Sequence, residues 1–250
     1  MKKMKFVSAL AVLFIAFSLF SCSTEIEPVD PALINGENGN GGGGNGGGNN
    51  GGGTSTGDYW PMTVNNQWTF IKDAMLQSPM KIIGTEQIGG MTYYEYDSFF
   101  GTSLQGLEAE GGLWTRKENG NYYARQEINI PAQGGQPAIS VSPLEIIILK
   151  DNIDINQTWT QNLTQTTTIQ GFPPMDSAII IEGTILEKDI TITINGIVYT
   201  NVIKVELVQT TQGITQENYY WFAKDIGPIK YQFNYMGTET INELSTFIVN

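Results

Sequence analysis

Few residues in this 250-residue chain are able to do covalent chemistry, and their types narrow the choice at once. There is no histidine, so a Ser-His-Asp triad, a Cys-His pair and histidine-ligated zinc are excluded. Cys22 is the sole thiol. It has no partner for an internal disulfide, and an odd cysteine in a secreted chain needs another use for its sulfur. Paired carboxylates remain as an acid–base couple of the kind that cleaves glycosidic bonds. Glu108 and Glu110 would share one face of a strand, but Gly111-Gly112 follow directly and predict a solvated turn. Asp151, Asp154 and Asn156 offer oxygen atoms suited to calcium. Their spacing lacks the alternation and closing glutamate of a calcium loop, so the segment reads as a polar loop. No catalytic residue, metal ligand or cofactor is assigned.

The use of the thiol follows from its position. Lys2, Lys3 and Lys5 precede an apolar run from Phe6 to Phe20, interrupted only by Ser8 and Ser18. This is the layout of a secretory signal, and it is shorter than the roughly 20 residues that a helix needs to cross a bilayer core. Leu19-Phe20-Ser21-Cys22 at its end resembles the lipobox of bacterial lipoproteins. The resemblance implies cleavage before Cys22 and acylation of its sulfur, with each buried methylene contributing ~0.8 kcal/mol to anchoring. The predicted organisation is a signal peptide over 1–21, a lipidated tether over 22–57 and a globular domain over 58–250.

Removal of residues 1–21 takes three lysines and no acid, moving the formal charge from −12 to −15. Such acidity opposes nucleic-acid binding and docking to an anionic membrane surface, so the expected membrane partner is reached through the lipid on Cys22. Glu25 and Glu27 resemble the acidic export signal that sends lipoproteins of the Bacteroidetes to the outer face of the outer membrane. The expected location is therefore the cell surface, with the periplasmic face as the alternative. From Asn35 to Gly57 the chain is 13 glycines and 6 asparagines in 23 residues, without an apolar side chain. It cannot bury a core, and as a Gly-rich coil the stretch from Cys22 to Asp58 has a root-mean-square span of about 30–36 Å.

Beyond Asp58 the hydrophobic period is two. Ile190-Thr191-Ile192-Thr193-Ile194 and Ile197-Val198-Tyr199 flank Asn195-Gly196, the pairing favoured in type I′ hairpins. Counting outward pairs Ile194 with Ile197 and Ile192 with Tyr199, all on one face. Asn119-Gly120 joins residues 113–117 to 122–125 in the same way. Further strands are predicted near 66–72, 80–88, 91–100, 138–149, 177–187, 201–211, 216–223 and 228–249. The fold class is all-β: a single antiparallel meander, closed or half closed into a barrel so that its edges are not left open.

Val64-Asn65-Asn66-Gln67-Trp68-Thr69 recurs as Ile155-Asn156-Gln157-Thr158-Trp159-Thr160, an aliphatic residue, a polar turn and a strand opening in Trp-Thr. Tyr59-Trp60-Pro61-Met62 with Trp68, the segment Trp221 to Lys230, and Glu243-Leu244 resemble a broad group of uncharacterised bacterial lipoproteins. That group opens "YFPL…G..W.Y" and closes "W.A..VG.VK…L". Some of these are similar to the half-barrel lipoprotein carriers and chaperones of the periplasm, of the LolA/LolB-like kind. Asp176-Ser177-Ala178 resembles the acceptor sequence for O-glycosylation in Bacteroidetes, which marks Ser177. The five tryptophans read as core, while Tyr59 and Trp60, beside Pro61 and ahead of the first strand, are expected at a rim. The leading function class is a membrane-anchored, non-enzymatic binding or structural lipoprotein whose partner is an apolar ligand or an envelope protein. A surface glycan-binding or fibre-associated module is the alternative, and a carboxylate-based hydrolase the last.

Overall fold

Alternating strands separated by turn residues with positive φ produce a long meander. The computed structural model of the protein describes residues 55–100, 102–103, 109–133, 135–235 and 237–250. Its strands are β1 (Gln67–Lys72), β2 (Met75–Leu76), β3 (Met80–Ile88), β4 (Met91–Tyr96), β5 (Ser98–Phe99), β6 (Thr102–Ser103), β7 (Glu110–Glu118) and β8 (Asn121–Ile130). They continue as β9 (Ile139–Lys150), β10 (Thr158–Ile169), β11 (Met175–Ile194), β12 (Ile197–Thr211), β13 (Ile214–Ala223), β14 (Gly227–Tyr235) and β15 (Thr238–Ile248). From β15 to β7 each strand pairs antiparallel with the one before it in sequence, and β4, β3 and β1 complete the series. β1 then pairs with β15, from Gln67↔Ile248 to Ile71↔Glu243, closing a ring of twelve strands. The β2 stub extends one edge of β1, and β5 and β6 form a separate small ribbon.

Both Asn-Gly hairpins have the expected form. Asn195 and Gly196 take φ of 49° and 80°, and Ile194↔Ile197 and Ile192↔Tyr199 are paired. Asn119 and Gly120 take φ of 50° and 76°. Several boundaries differ from the sequence reading. Residues 228–249 form two strands rather than one, because Gly237 (φ 79°) turns the chain between β14 and β15. Residues 177–187 and 190–194 fuse into one bulged strand, with register shifts at Glu187 and Ile190 absorbing the irregularity. The strand expected over 91–100 stops at Tyr96, where Asp97 caps Lys81 by accepting its N–H at 3.1 Å. Gly111-Gly112 lie inside β7 and not in a turn. Gly112 lies beneath the Trp114 ring, where a Cβ would stand 2.3 Å from it.

The recurring Trp-Thr segment is a structural repeat. Asn65 and Asn156 both adopt left-handed φ, 74° and 66°. The Asn65 N–H donates to Ile82 O (2.9 Å) and the Asn156 N–H to Ile185 O (2.7 Å). Ile82 and Ile185 donate back to Asn66 O and Gln157 O. Trp68 and Trp159 then turn inward and donate their indole N–H to Ile226 O (2.7 Å) and Ile147 O (3.3 Å). Each copy heads six strands of the ring, β1 to β9 without the short ribbons and β10 to β15.

Outward positions of β10 are polar, with Thr158, Thr160, Asn162 and Thr164 exposed, whereas β11 alternates Ile180 and Glu182 on its exposed face.

Candidate binding site

The chain enters the barrel through a strap. Ser55 to Met62 crosses the end where the β7–β8, β9–β10 and β13–β14 turns gather. Ser55 Oγ donates to Asp151 Oδ2 at 2.6 Å, and Thr56 Oγ1 to Asp151 O at 3.3 Å. The Tyr122 hydroxyl accepts the Tyr59 N–H at 3.0 Å and lies 3.1 Å from both Gly57 O and Asp151 Oδ2, one of which takes its single proton. Asp225 N–H donates to Asp58 O, Lys224 Nζ to Thr56 O, and Lys117 Nζ pairs with Asp58 Oδ2 at 2.6 Å. Asp151 is wholly buried. Burial pushes its carboxyl above the ordinary range, opposed by hydrogen bonds from Ser55 and Tyr122 and by Lys188. Ser55 to Gly57, which composition assigns to the tether, are thus held by the domain. Cys22, Glu25 and Glu27 lie outside the described residues.

Tyr59 and Trp60 do not stand at a rim; they are 1% and 0% exposed. Trp60 stacks on Phe99, with ring centroids 5.6 Å apart and planes at 13°, and meets Phe100 and Phe222 at 5.6 and 5.4 Å. Phe100 reaches on to Tyr220 (5.2 Å) and Tyr231 (4.9 Å). The reason is geometric. Inward side chains fill an eight-stranded barrel, but a wider ring leaves space at its axis. Residues 59–62 and 98–100 supply the filling that the wall cannot. Pro61 and the position ahead of β1 carry no hint of this, because the rings that receive Trp60 come from β4 to β5 and from β13.

At the opposite end the inner wall changes character. Thr167, Ser177 and Gln216 are buried there, and Gln126, Asn218 and Asn242 are buried midway along their strands, all 4–7% exposed. Their inward direction follows from register: Gln126 lies opposite Leu113 and Leu144, Asn218 opposite Leu207 and Phe233, and Asn242 opposite Tyr231. The Gln216 Nε2 donates to Asn218 Oδ1 at 3.0 Å. The charged side chains buried among the described residues are Arg116 and Asp151, and neither belongs to this layer. None of these amides was singled out by the sequence reading. The signal available was a strand whose inward positions run Gln216, Asn218, Tyr220, Phe222, changing from polar to aromatic along one face.

No family model matches the chain, and no curated protein does. Solved structures do. A protein assigned as a lipoprotein from Parabacteroides distasonis is 11% identical, with a TM-score of 0.42, over 76% of this chain and 98% of that one. A protein assigned as exported, with a YmcC-like fold, from Bacteroides fragilis is 12% identical, with a TM-score of 0.40 and the same coverage.

The remaining expected sites fall elsewhere. Ser177 faces inward at 6% exposure and its Oγ meets Gln212 Nε2 at 3.4 Å, so the folded barrel hides it from a modifying enzyme. Glu110 is exposed on β7, and Glu108 lies outside the described residues. The outward tryptophans are covered by cations. Trp221 sits between Lys204 and Lys230, 5.2 and 5.3 Å from its ring, in a cross-strand row that Glu187 and Glu243 close by ion pairs. Trp114, 6% exposed, has Arg125 6.0 Å from its ring. Arg116, beside Tyr123 at 3.6 Å, is held charged; burial opposes this, but the Glu145 carboxylate at 2.7 Å outweighs it.

Proposed function

We propose that this chain is a lipid-anchored, non-enzymatic binding module of the outer membrane, displayed at the cell surface. Cys22 carries the acyl chains, Glu25 and Glu27 direct export, and the glycine-rich segment holds the domain clear of the head groups. One observation carries the binding reading. The strap and aromatic plug fill the barrel end at which the tether joins, while the far end has an uncharged polar inner wall. A partner would be met at the end that points away from the lipid.

A fibre subunit that awaits a donated strand is disfavoured, since β1 and β15 close the ring themselves. A carrier with an apolar tunnel along the whole barrel is disfavoured by the Trp60, Phe99 and Phe100 plug. A glycan platform of exposed coplanar aromatics on the outer wall is opposed by the cations over Trp221 and Trp114. An acid–base hydrolase has no support in the acids at hand: Asp151 is committed to the strap.

The test is metabolic labelling with a palmitate analogue, together with protease treatment of intact cells. Wild type should be labelled and cleaved. Cys22→Ala should lose the label, and labelling of that variant would overturn the anchor. Replacing Glu25 and Glu27 by alanine should protect the domain from added protease at unchanged total protein. Equal cleavage of both forms would remove the export assignment, and protection of wild type would place the domain on the periplasmic face.

A further inference from the structure

The wall of the ring is not laddered all the way round. β9 and β10 are neighbours, yet their backbones pair only at Val141↔Thr167, Ser140↔Thr168 and Ile139↔Ile169. On their other sides β9 is laddered to β8 from Ile130↔Ile139 to Asn121↔Lys150, and β10 to β11 from Thr167↔Met175 to Thr158↔Thr184. The sequence explains the break. Pro143 has no N–H to give a neighbouring strand, and proline inside a sheet belongs to an edge or a bulge. Here it is exposed and bulged, since Ser142 and Pro143 together face one residue of β8 at the register shift between Gln126 and Ile128. Beyond it side chains stand where a ladder would. Ile147 N–H donates to Gln161 Oε1 (2.7 Å), and Ile147 O accepts the Trp159 indole N–H (3.3 Å). Ser142 Oγ accepts the Thr166 N–H (2.9 Å), and Ser142 O the Gln165 amide (3.4 Å).

This seam falls at the junction of the two repeat copies, and the other junction is zipped: β15 and β1 pair from Gln67↔Ile248 to Ile71↔Glu243. Parting residues 142–150 from 158–166 breaks those side-chain bonds and no ladder, because each strand keeps its outer neighbour. The bonds at 3.3 and 3.4 Å lie beyond the ordinary length of an N–H···O bond. Segments with few backbone bonds between them and water beside them open at lower free energy than the core. Thr158, Thr160, Asn162 and Thr164 are exposed on β10, while Ile146 and Ile148 of β9 belong to the buried core, 4% and 0% exposed. Both ends of the seam are pinned, one by the three ladder pairs and the other by Lys188 Nζ, which donates to Asp151 O and Ile153 O. We propose that the wall parts between β9 and β10 as a lateral gate, giving the barrel interior a side opening distinct from its plugged end.

The full chain in detergent would be followed by hydrogen exchange read amide by amide, and by maleimide labelling of Ile146→Cys beside Leu207→Cys, with the label mapped to peptides so that Cys22 is read separately. Leu207, 3% exposed, is the control because β12 is laddered on both sides. Ile147 N–H should exchange about tenfold or more faster than the ladder amides of β11 and β12, and Ile146→Cys should label faster than Leu207→Cys by a similar factor. Gln161→Leu, which removes the acceptor of that N–H, should speed both and leave the labelling of Leu207→Cys unchanged. Protection of Ile147 equal to that of the ladder amides overturns the gate. So do equal labelling rates for the two thiols, which mean entry by global unfolding, and an Ile146→Cys rate that Gln161→Leu leaves unaltered, which means entry by another route. If Ile146→Cys does not fold, the exchange of Ile147 in the unsubstituted chain and in Gln161→Leu decides alone.

Discussion

Tyr122 and Asp151 meet beneath the strap, hydroxyl to carboxylate at 3.1 Å, and between them they hold Ser55, Gly57 and Tyr59 to the barrel. The tyrosine oxygen takes one hydrogen bond and gives one, in a buried place where neither loss can be made good by water. Tyr122→Phe should therefore lower stability by about 1–3 kcal/mol. Chemical unfolding of the lipid-free chain measures it, and an unchanged midpoint would show that the strap contributes nothing.

Asp151 yields a prediction with a definite sign. Its folded pKa lies above the ordinary value because burial disfavours the carboxylate. The folded state thus holds the proton more tightly than the unfolded chain, and stability falls as pH rises from the ordinary carboxyl range through the raised value. Asp151→Asn keeps an oxygen for Ser55 while removing the charge. Its melting temperature should gain on wild type as pH increases from 4 to 7. A gap between the two that stays constant across this window contradicts the assignment.

Trp159 lies over Gly183, its direct partner across β10 and β11. A Cβ on Gly183 would stand 2.1 Å from the indole. Gly183→Ala should cost about 1–3 kcal/mol by overpacking. Combining it with Trp159→Leu should recover part of the loss, since the smaller side chain frees the space. Additive losses in the double-mutant cycle would mean that the two residues do not share this contact.

Tyr199 is 2% exposed, and burial alone pushes its phenol up to about 12. Its hydroxyl has no hydrogen-bond partner among the described residues. Tyr199→Phe removes an unmatched polar atom without changing the ring, and should leave stability equal or raise it by about 1 kcal/mol. A clear fall in melting temperature would reveal a partner for that hydroxyl.

Deletions distinguish tether from strap. Removing ten residues between 35 and 54 should leave the melting temperature unchanged, whereas removing Ser55, Thr56 and Gly57 should lower it by several degrees. Gly196→Val, at φ 80° with open space around its Cβ position, should strain the turn by roughly 1–3 kcal/mol. A deletion in 35–54 as damaging as either would move the domain boundary toward Cys22.

What the sequence determined by itself was whatever local chemistry decides. The Asn195-Gly196 and Asn119-Gly120 turns, with the register of the strands beside them, were legible because a type I′ turn needs positive φ and fixes its own pairing. The Trp68 and Trp159 echo was legible for the same reason, since an asparagine in the left-handed region sets each turn. The lack of histidine removed whole classes of catalysis without any structure. Tertiary structure alone decided the ends of the barrel. Tyr59 and Trp60 were read as rim residues because nothing near them in sequence shows that a twelve-stranded ring needs a plug, or that Phe99 and Phe100 arrive to complete it. The amides of Gln126, Asn218 and Asn242 sit on three different strands, each unremarkable in its own segment. Their burial on the inner wall is a property of the folded ring that no single strand carries.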